Sequence, residues 1–349
     1  MRKLLGTLFF IAIAIVVSCD SDSDDQPFQK ESDLVYERRG GIFGMLSNGS
    51  DTVRISPTDV NLKIDIDGSN PISPDGSMLM TIDDNRGLVL VKLDGSGVST
   101  PVSSEAYYAG WSPDGNKILY VKKVSSSSLS DIYVVNSDGT NPQNITQSPA
   151  NYRSPRWTND GRIVFTVSAS NSAFELAIIN ADGSGRSNIV TGIEAISDFR
   201  LSNSTSKVAI NGQMPNSNQR GIYTLNLDGS SLTLLTEVNS RRIHDWSPDD
   251  SKLLYTTQNA TGEFWNVFVI STDGSGTPVN LSNRTETSDK GWNPSWSITG
   301  SEVVFSIRDF SNLRGYDIYK ANADGSGLTN LTNYSEPIGG HFSAFWCPF

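Results

Sequence analysis

Trp111-Ser112-Pro113-Asp114-Gly115, followed by Lys117-Ile118-Leu119-Tyr120-Val121 and then by Ile132-Tyr133-Val134-Val135-Asn136-Ser137-Asp138-Gly139, has the pattern of short strands joined by tight turns. Proline presets φ at the first corner of a turn, aspartate caps its backbone and glycine accepts positive φ. Asp-Gly between apolar runs is a strong hairpin signal. The run from Lys117 to Val121 is apolar nearly throughout, which suits a sheet covered on both faces.

Both turns recur. The first returns as Ile72-Ser73-Pro74-Asp75-Gly76, Trp157-Thr158-Asn159-Asp160-Gly161, Leu201-Ser202-Asn203-Ser204, Trp246-Ser247-Pro248-Asp249-Asp250 and Trp296-Ser297-Ile298-Thr299-Gly300. The second places Gly49, Gly95, Gly139, Gly183, Gly229, Gly274 and Gly325 at spacings of 46, 44, 44, 46, 45 and 51 residues. Four short strands per unit of about 45 residues is the period of a propeller blade, whereas solenoid repeats are shorter or helical. Three strands near residues 34–38, 41–46 and 52–56 lack a Trp-bearing first strand, and Phe342-Ser343-Ala344-Phe345-Trp346-Cys347 supplies it at the far end. The expectation is all-β: a seven-bladed β-propeller of four-stranded blades, closed by a composite blade from both termini. A six-bladed ring with loose ends is the alternative.

These repeats resemble the TolB-type WD-like propeller repeat, whose consensus carries the Trp-Ser-Pro-Asp-Gly turn, a Tyr-bearing third strand and Asp-Gly before the last strand. The resemblance covers residues 33–349. The fourth unit departs from it at Leu201 and Ser204, and there is no room for the N-terminal α/β domain of true TolB, so the repeat architecture is what carries over.

Ahead of the repeats, Arg2 and Lys3 precede an apolar run over residues 4–17, and Ser18 stands before Cys19. Those 14 residues fall short of the about 20 that a spanning helix needs, and the pattern is that of a removable targeting signal. Val16-Val17-Ser18-Cys19 resembles the bacterial lipobox, which implies cleavage before Cys19 and its acylation, with acyl chains holding the protein to a membrane. Residues 19–32, with Asp22, Asp24 and Asp25 among serines, form an acidic flexible tether. The tether is similar to the acidic stretch of surface-exported lipoproteins of the Bacteroidetes type. The predicted organisation is therefore a signal peptide over 1–18, a tether over 19–32 and a propeller over 33–349. The predicted location is the cell envelope, lipid-anchored at the outer membrane, periplasmic or surface-exposed.

Lipidation of Cys19 leaves Cys347 without an intramolecular disulfide partner. The net charge of −11 becomes −13 when Arg2 and Lys3 leave (−11 − 2). That balance disfavours nucleic acid and anionic membrane surfaces as partners of the body.

Asp65-Ile66-Asp67-Gly68-Ser69-Asn70 alternates oxygen ligands, but the twelfth position of an EF-hand loop, a bidentate acid, is here Gly76. Turn capping accounts for the remaining Asp-Gly pairs, so no metal and no cofactor is expected. There is no Gly-x-Ser-x-Gly elbow, and only His244 and His341 are bases near neutral pH. Propellers with related repeats include metal-dependent oligogalacturonate lyases, which use more histidines than this chain has, and prolyl-peptidase-like proteins, whose catalytic domain is missing here.

The segment before each first turn, which belongs to the innermost strand and the loop leading into it, is rich in aromatic and cationic groups. Around the ring it offers Tyr107 and Tyr108; Tyr152, Arg153 and Arg156; Asp198 and Arg200; Arg241, Arg242, His244 and Asp245; Lys290 and Trp292; and His341 and Phe342. These groups either pack between blades and pair with Asp198, Asp245 or Asp289, or form a funnel in which arginines hold a carboxylate or sulfate while aromatics stack on an apolar face. Ligand-binding candidates are Tyr108, Tyr152, Arg153, Arg200, Arg241, Arg242, His244, Lys290, Trp292 and His341. The recurring Trp111, Trp157, Trp246, Trp296 and Trp346 suit inter-blade packing instead. The functional expectation is a tethered, non-catalytic module for an envelope or extracellular protein, peptide or anionic glycan. The alternative is a propeller lyase or hydrolase acting on an acidic polysaccharide.

Overall fold

In blade 3 the Trp-Ser-Pro-Asp-Gly turn joins strands Ala106–Trp111 and Lys117–Lys123. The buried Ser112 hydroxyl donates to Asp114 at 2.6 Å and accepts the Lys117 N–H at 2.9 Å, while the same carboxylate accepts the Asn116 N–H at 3.1 Å. Ser73 with Asp75 and Ser247 with Asp249 repeat this arrangement, and in blade 4 Thr158 donates to Asp160. The serine thus closes the turn from inside. The aspartate's hydrogen bonds hold its carboxyl below the usual range.

The computed structural model describes residues 34–38, 41–56, 71–83, 87–102, 106–124, 129–148, 150–168, 173–189, 191–215, 220–237, 242–258, 265–283, 290–308, 316–332 and 344–346. Among these no helix occurs, and the antiparallel strands make seven blades in a ring. Blades 3, 4 and 5 are separate four-stranded sheets. Blades 6 and 7 are joined by one parallel pairing, Trp265↔Lys290. In blade 2 the innermost strand is reduced to the bridge Ile72↔Leu79.

Blade 1 is composite. Ala344–Trp346 forms its innermost strand against Leu34–Arg38, in the register Leu34↔Trp346, Val35↔Phe345 and Tyr36↔Ala344. The ring therefore closes as expected from the surplus Trp-bearing strand, with seven blades and not six.

The core is divided among the inter-blade spaces. Val35 and Ile42 of blade 1 pack on Leu79 and Val89 of blade 2, and Leu34, Tyr36 and Ala344 pack on Val304 and Ile318 of blade 7. Each repeat tryptophan sits against one such cluster. The indole N–H of Trp111 donates to the Pro71 carbonyl at 3.1 Å, and that of Trp246 to the Arg200 carbonyl at 3.1 Å. Both acceptors stand one residue before the first-turn position of the preceding blade, so these two tryptophans pack and clasp at once, whereas the buried indole N–H groups of Trp157, Trp296 and Trp346 have no hydrogen-bond partner among the described residues.

The Asp-Gly glycines have a second task that the sequence reading did not assign. Gly183 takes φ +86°, and a Cβ there would lie 2.8 Å from the Ile145 carbonyl oxygen of blade 3. At Gly49 a Cβ would run into the Leu331 carbonyl of blade 7. The turn therefore needs glycine for its backbone conformation and for the approach of the neighbouring blade.

Candidate functional site

The inner strands of blades 3 to 6 converge on a cavity of about 470 Å³. Its wall takes Tyr108 from blade 3, Arg153, Ser154, Thr166 and Phe174 from blade 4, Ala195 to Phe199 with Arg220 from blade 5, and Arg242 from blade 6. Inner strands run from this end towards their turn motifs. The cavity thus opens on the face opposite both families of turns.

Three wall residues other than glycine have positive φ: Tyr108 at 52°, Ser154 at 49° and Ala195 at 49°. Each lies where the inner strand slips register, between Tyr107 and Gly110, Arg153 and Arg156, and Glu194 and Asp198. A bulge bends the strand and re-aims side chains. Asn293 of blade 7 repeats the device at 48°, so the bulge belongs to the repeat and is put to use in blades 3 to 5. Gly212 permits the widest of them, because a Cβ there would collide with the Ile193 side chain.

Arg153 is held on the wall by two contacts. Its guanidinium carbon lies 4.6 Å from the centroid of the Phe174 ring, and its Nε donates to Asn151 Oδ1 at 3.2 Å. Stacking and that bond set the plane of the fork, while its two terminal nitrogens have no hydrogen bond among the described residues. Arg220 is exposed, and its side chain has no hydrogen bond or ion pair among them. Phe174 and Arg220 escaped the sequence reading because they lie where a third strand starts, not on an inner strand. Antiparallel connection brings that position to the same face.

Asp198, also on the wall, is fully engaged. It pairs with Arg200 Nη1 at 2.6 Å, with the two side chains 12% and 4% exposed, and accepts the Phe199 N–H and, from blade 6, the Ile243 N–H, each at 2.9 Å. Arg200 Nε donates to the His244 carbonyl at 2.9 Å. This pair locks blade 5 to blade 6. His244 is buried with Nε2 3.0 Å from the Thr256 hydroxyl, and burial, then Arg242 and Arg200, hold its pKa well below the ordinary value.

Of the sequence candidates, the cavity brings together Tyr108, Arg153 and Arg242. Arg200 and His244 are inside the blade 5–blade 6 contact. Tyr152 is buried in the blade 3–blade 4 core, its hydroxyl donating to the Ser148 carbonyl at 2.9 Å and accepting from Arg186 at 3.0 Å. Lys290 and Trp292 are on the inner strand Lys290–Trp296 of blade 7. Cys19, Arg241, His341 and the Asp65 to Asn70 stretch lie outside the described residues. Among the described residues no cluster of three His, Cys, Asp or Glu side chains could hold a metal ion. Turn aspartates such as Asp138 and Asp182 are bonded to their own turns.

Asp245 stands apart on the inner strand of blade 6. It is open to solvent yet surrounded by protein mass, the situation of a group on a channel wall. Desolvation pushes its carboxyl up to about 6, against the Trp246 N–H, Arg200 and Arg156, which pull it down. Water at that wall softens the effect without changing its direction.

Residues 71–296 match the family described as the TolB beta propeller domain. The chain belongs to that family. Solved structures with the same fold include TolB from Acinetobacter baumannii, 20% identical with a TM-score of 0.52 over 80% of this chain. This chain spans 65% of that TolB's length. An oligogalacturonate lyase from Vibrio parahaemolyticus is 14% identical with a TM-score of 0.62, covering 87% of each chain. An acylaminoacyl peptidase from Pyrococcus horikoshii is 13% identical with a TM-score of 0.60, covering 84% of this chain and 48% of its own. At these identities the likeness is one of fold. No curated protein sequence matches the chain.

Proposed function

We propose that this TolB-family propeller is a non-catalytic binding module, tethered through a lipidated Cys19 to the outer membrane and presenting its cavity to an anionic group of an envelope or extracellular partner. The observation that carries the reading is Arg153, its guanidinium over the Phe174 ring and its terminal nitrogens without a hydrogen bond among the described residues, on one cavity wall with Arg220 and Arg242 in a chain of net charge −11. Like charges gathered in an acidic protein call for an anion. Asp198 does not supply it to Arg153 or Arg220, being bonded to Arg200 and two backbone N–H groups.

The test is a binding screen of acidic and neutral peptides and glycans at low and high salt. Acidic ligands should bind, weaken as salt rises, and lose affinity in Arg153→Ala/Arg220→Ala, because exposed attractions are screened beyond about 8 Å at physiological ionic strength. Binding of neutral ligands alone, untouched by the double substitution, would refute the reading.

One observation favours a second reading, an enzyme acting on acidic polysaccharide: Asp245, its carboxyl raised towards neutrality, could exchange protons in the channel. New chain ends released from a polyuronate by the protein but not by Asp245→Asn would establish it.

A further inference from the structure

We infer that the cavity takes the free carboxylate end of a peptide whose last side chain is aromatic or aliphatic. The inference rests on the reading of the cavity as an anion site and names what the anion belongs to.

Arg153 supplies the selectivity for a carboxylate. A guanidinium fork fixed in plane offers two parallel N–H donors, which match the two oxygens of a carboxylate better than a point charge does. Phe174 beneath it and Asn151 at its Nε leave the two terminal nitrogens for that purpose. Arg220, from blade 5, adds a second cation without a partner of its own among the described residues.

The rest of the wall favours an apolar side chain over a sugar ring. Every hydroxyl of a sugar is a donor that needs an acceptor. The wall's carboxylate, Asp198, already accepts from Arg200, Phe199 and Ile243. Phe174, Ala195 and Ile196 give the wall apolar surface beside its cations. A volume of about 470 Å³ suits a few residues at a chain end, and a terminus enters such a cavity with one flanking backbone where an internal Asp or Glu brings two.

The experiment uses the full chain in detergent and a fluorescein-labelled Gly-Ala-Ala-Phe tracer, as the free acid and as the C-terminal amide, read by anisotropy. The acid should bind about tenfold or more tightly than the amide. Arg153→Lys, which keeps the charge and loses the fork, should remove most of that difference. Phe174→Leu should weaken the acid severalfold while leaving all charges in place. Melting temperature checks that both variants fold. Equal binding of acid and amide, or indifference to Arg153→Lys, would overturn the inference. If a glucuronate tetrasaccharide bound in an Arg153-dependent way and the peptide acid did not, the peptide assignment would fall and the anion site would stand. If neither bound, both would fall.

Discussion

The carboxylate of Asp250 accepts the main-chain N–H of Asn203 at 2.6 Å, one blade away, and that of Ser204 at 2.9 Å. Asn203 in turn donates its side-chain amide to the Ser247 carbonyl at 2.7 Å. Where the turns keep their consensus, the same junction is apolar: Pro74 lies 3.5 Å from the place of a Cβ on Gly115, and Pro248 3.2 Å from that on Gly300. The missing proline of blade 5 and the missing glycine of blade 6 are thus one change seen from two sides. Asp250 holds φ 60° to make it, and Thr205 at φ 53° meets the N–H of Asn159 in the same way.

That coupling predicts a double-mutant cycle. Asn203→Pro removes the N–H that Asp250 binds, and Asp250→Gly relieves the backbone but strands Asn203; each should lower the melting temperature. Together they rebuild the proline–glycine junction, so the double variant should be more stable than the sum of the singles by about 1 kcal/mol. Thermal unfolding of the four proteins measures it. Additivity within about 0.3–0.5 kcal/mol would show the turns to be independent.

A second prediction separates the two tasks of the turn glycines. Gly161 has φ +80° and nothing within 4 Å of a Cβ, whereas Gly183 has φ +86° and the Ile145 carbonyl 2.8 Å away. Gly161→Ala should cost only the left-handed backbone, about 1–2 kcal/mol. Gly183→Ala should cost distinctly more, because the blade 3 carbonyl must move. Equal losses in urea unfolding would mean that the neighbouring blade yields freely.

The repeat was legible because its turns are chemical: Pro, Asp and Gly occupy positions that backbone angles dictate, and Trp346 completes a blade that begins at Leu34. The site was only partly legible. Inner-strand position located Tyr108, Arg153 and Arg242, but could not say that Arg200 turns into Asp198 or that Tyr152 goes into the core, since a bulge decides which side a residue faces. A signal was present in Pro155 and Pro294, each two residues before a tryptophan; proline within a strand marks an interruption of the ladder. Phe174 and Arg220 needed the fold, because sequence spacing does not show which strand ends share a face.

A third prediction concerns the blade 5–blade 6 lock. Asp198→Ala leaves the guanidinium of Arg200, 4% exposed, without its carboxylate, and losing one partner of a buried pair typically costs about 3–5 kcal/mol. Asp198→Ala/Arg200→Met removes both charges and should be less damaging than Asp198→Ala alone. If the double variant were the worse of the two, Arg200 would act through the bonds it donates to the His244 and Phe199 carbonyls and not through its charge.

Asp245 gives the last prediction, and its sign is opposite to that of the turn aspartates. Its carboxyl is raised to about 6, mainly by desolvation, against about 3.9 in an unfolded chain. A group that holds its proton more tightly when folded contributes stability that is fully present below about pH 4 and is lost as pH rises through about 6. Asp245→Asn mimics the protonated form and keeps an oxygen for the Trp246 N–H that Asp245 accepts at 2.9 Å. It should therefore raise the melting temperature at about pH 7.5 and leave it unchanged at about pH 4. Because water reaches the side chain, the gain should be small, about 1–2 °C for a chain of this size. Asp249 runs the other way: its bonds to Ser247 and Ser251 hold it at about 2, so its contribution is present above about pH 4 and fades as pH falls through about 2. Asp249→Asn should accordingly lower the melting temperature at neutral pH. Scanning calorimetry of both variants across this range measures the two slopes, and a gain for Asp245→Asn that is the same at both ends would mean that the carboxyl is not perturbed by its place in the channel.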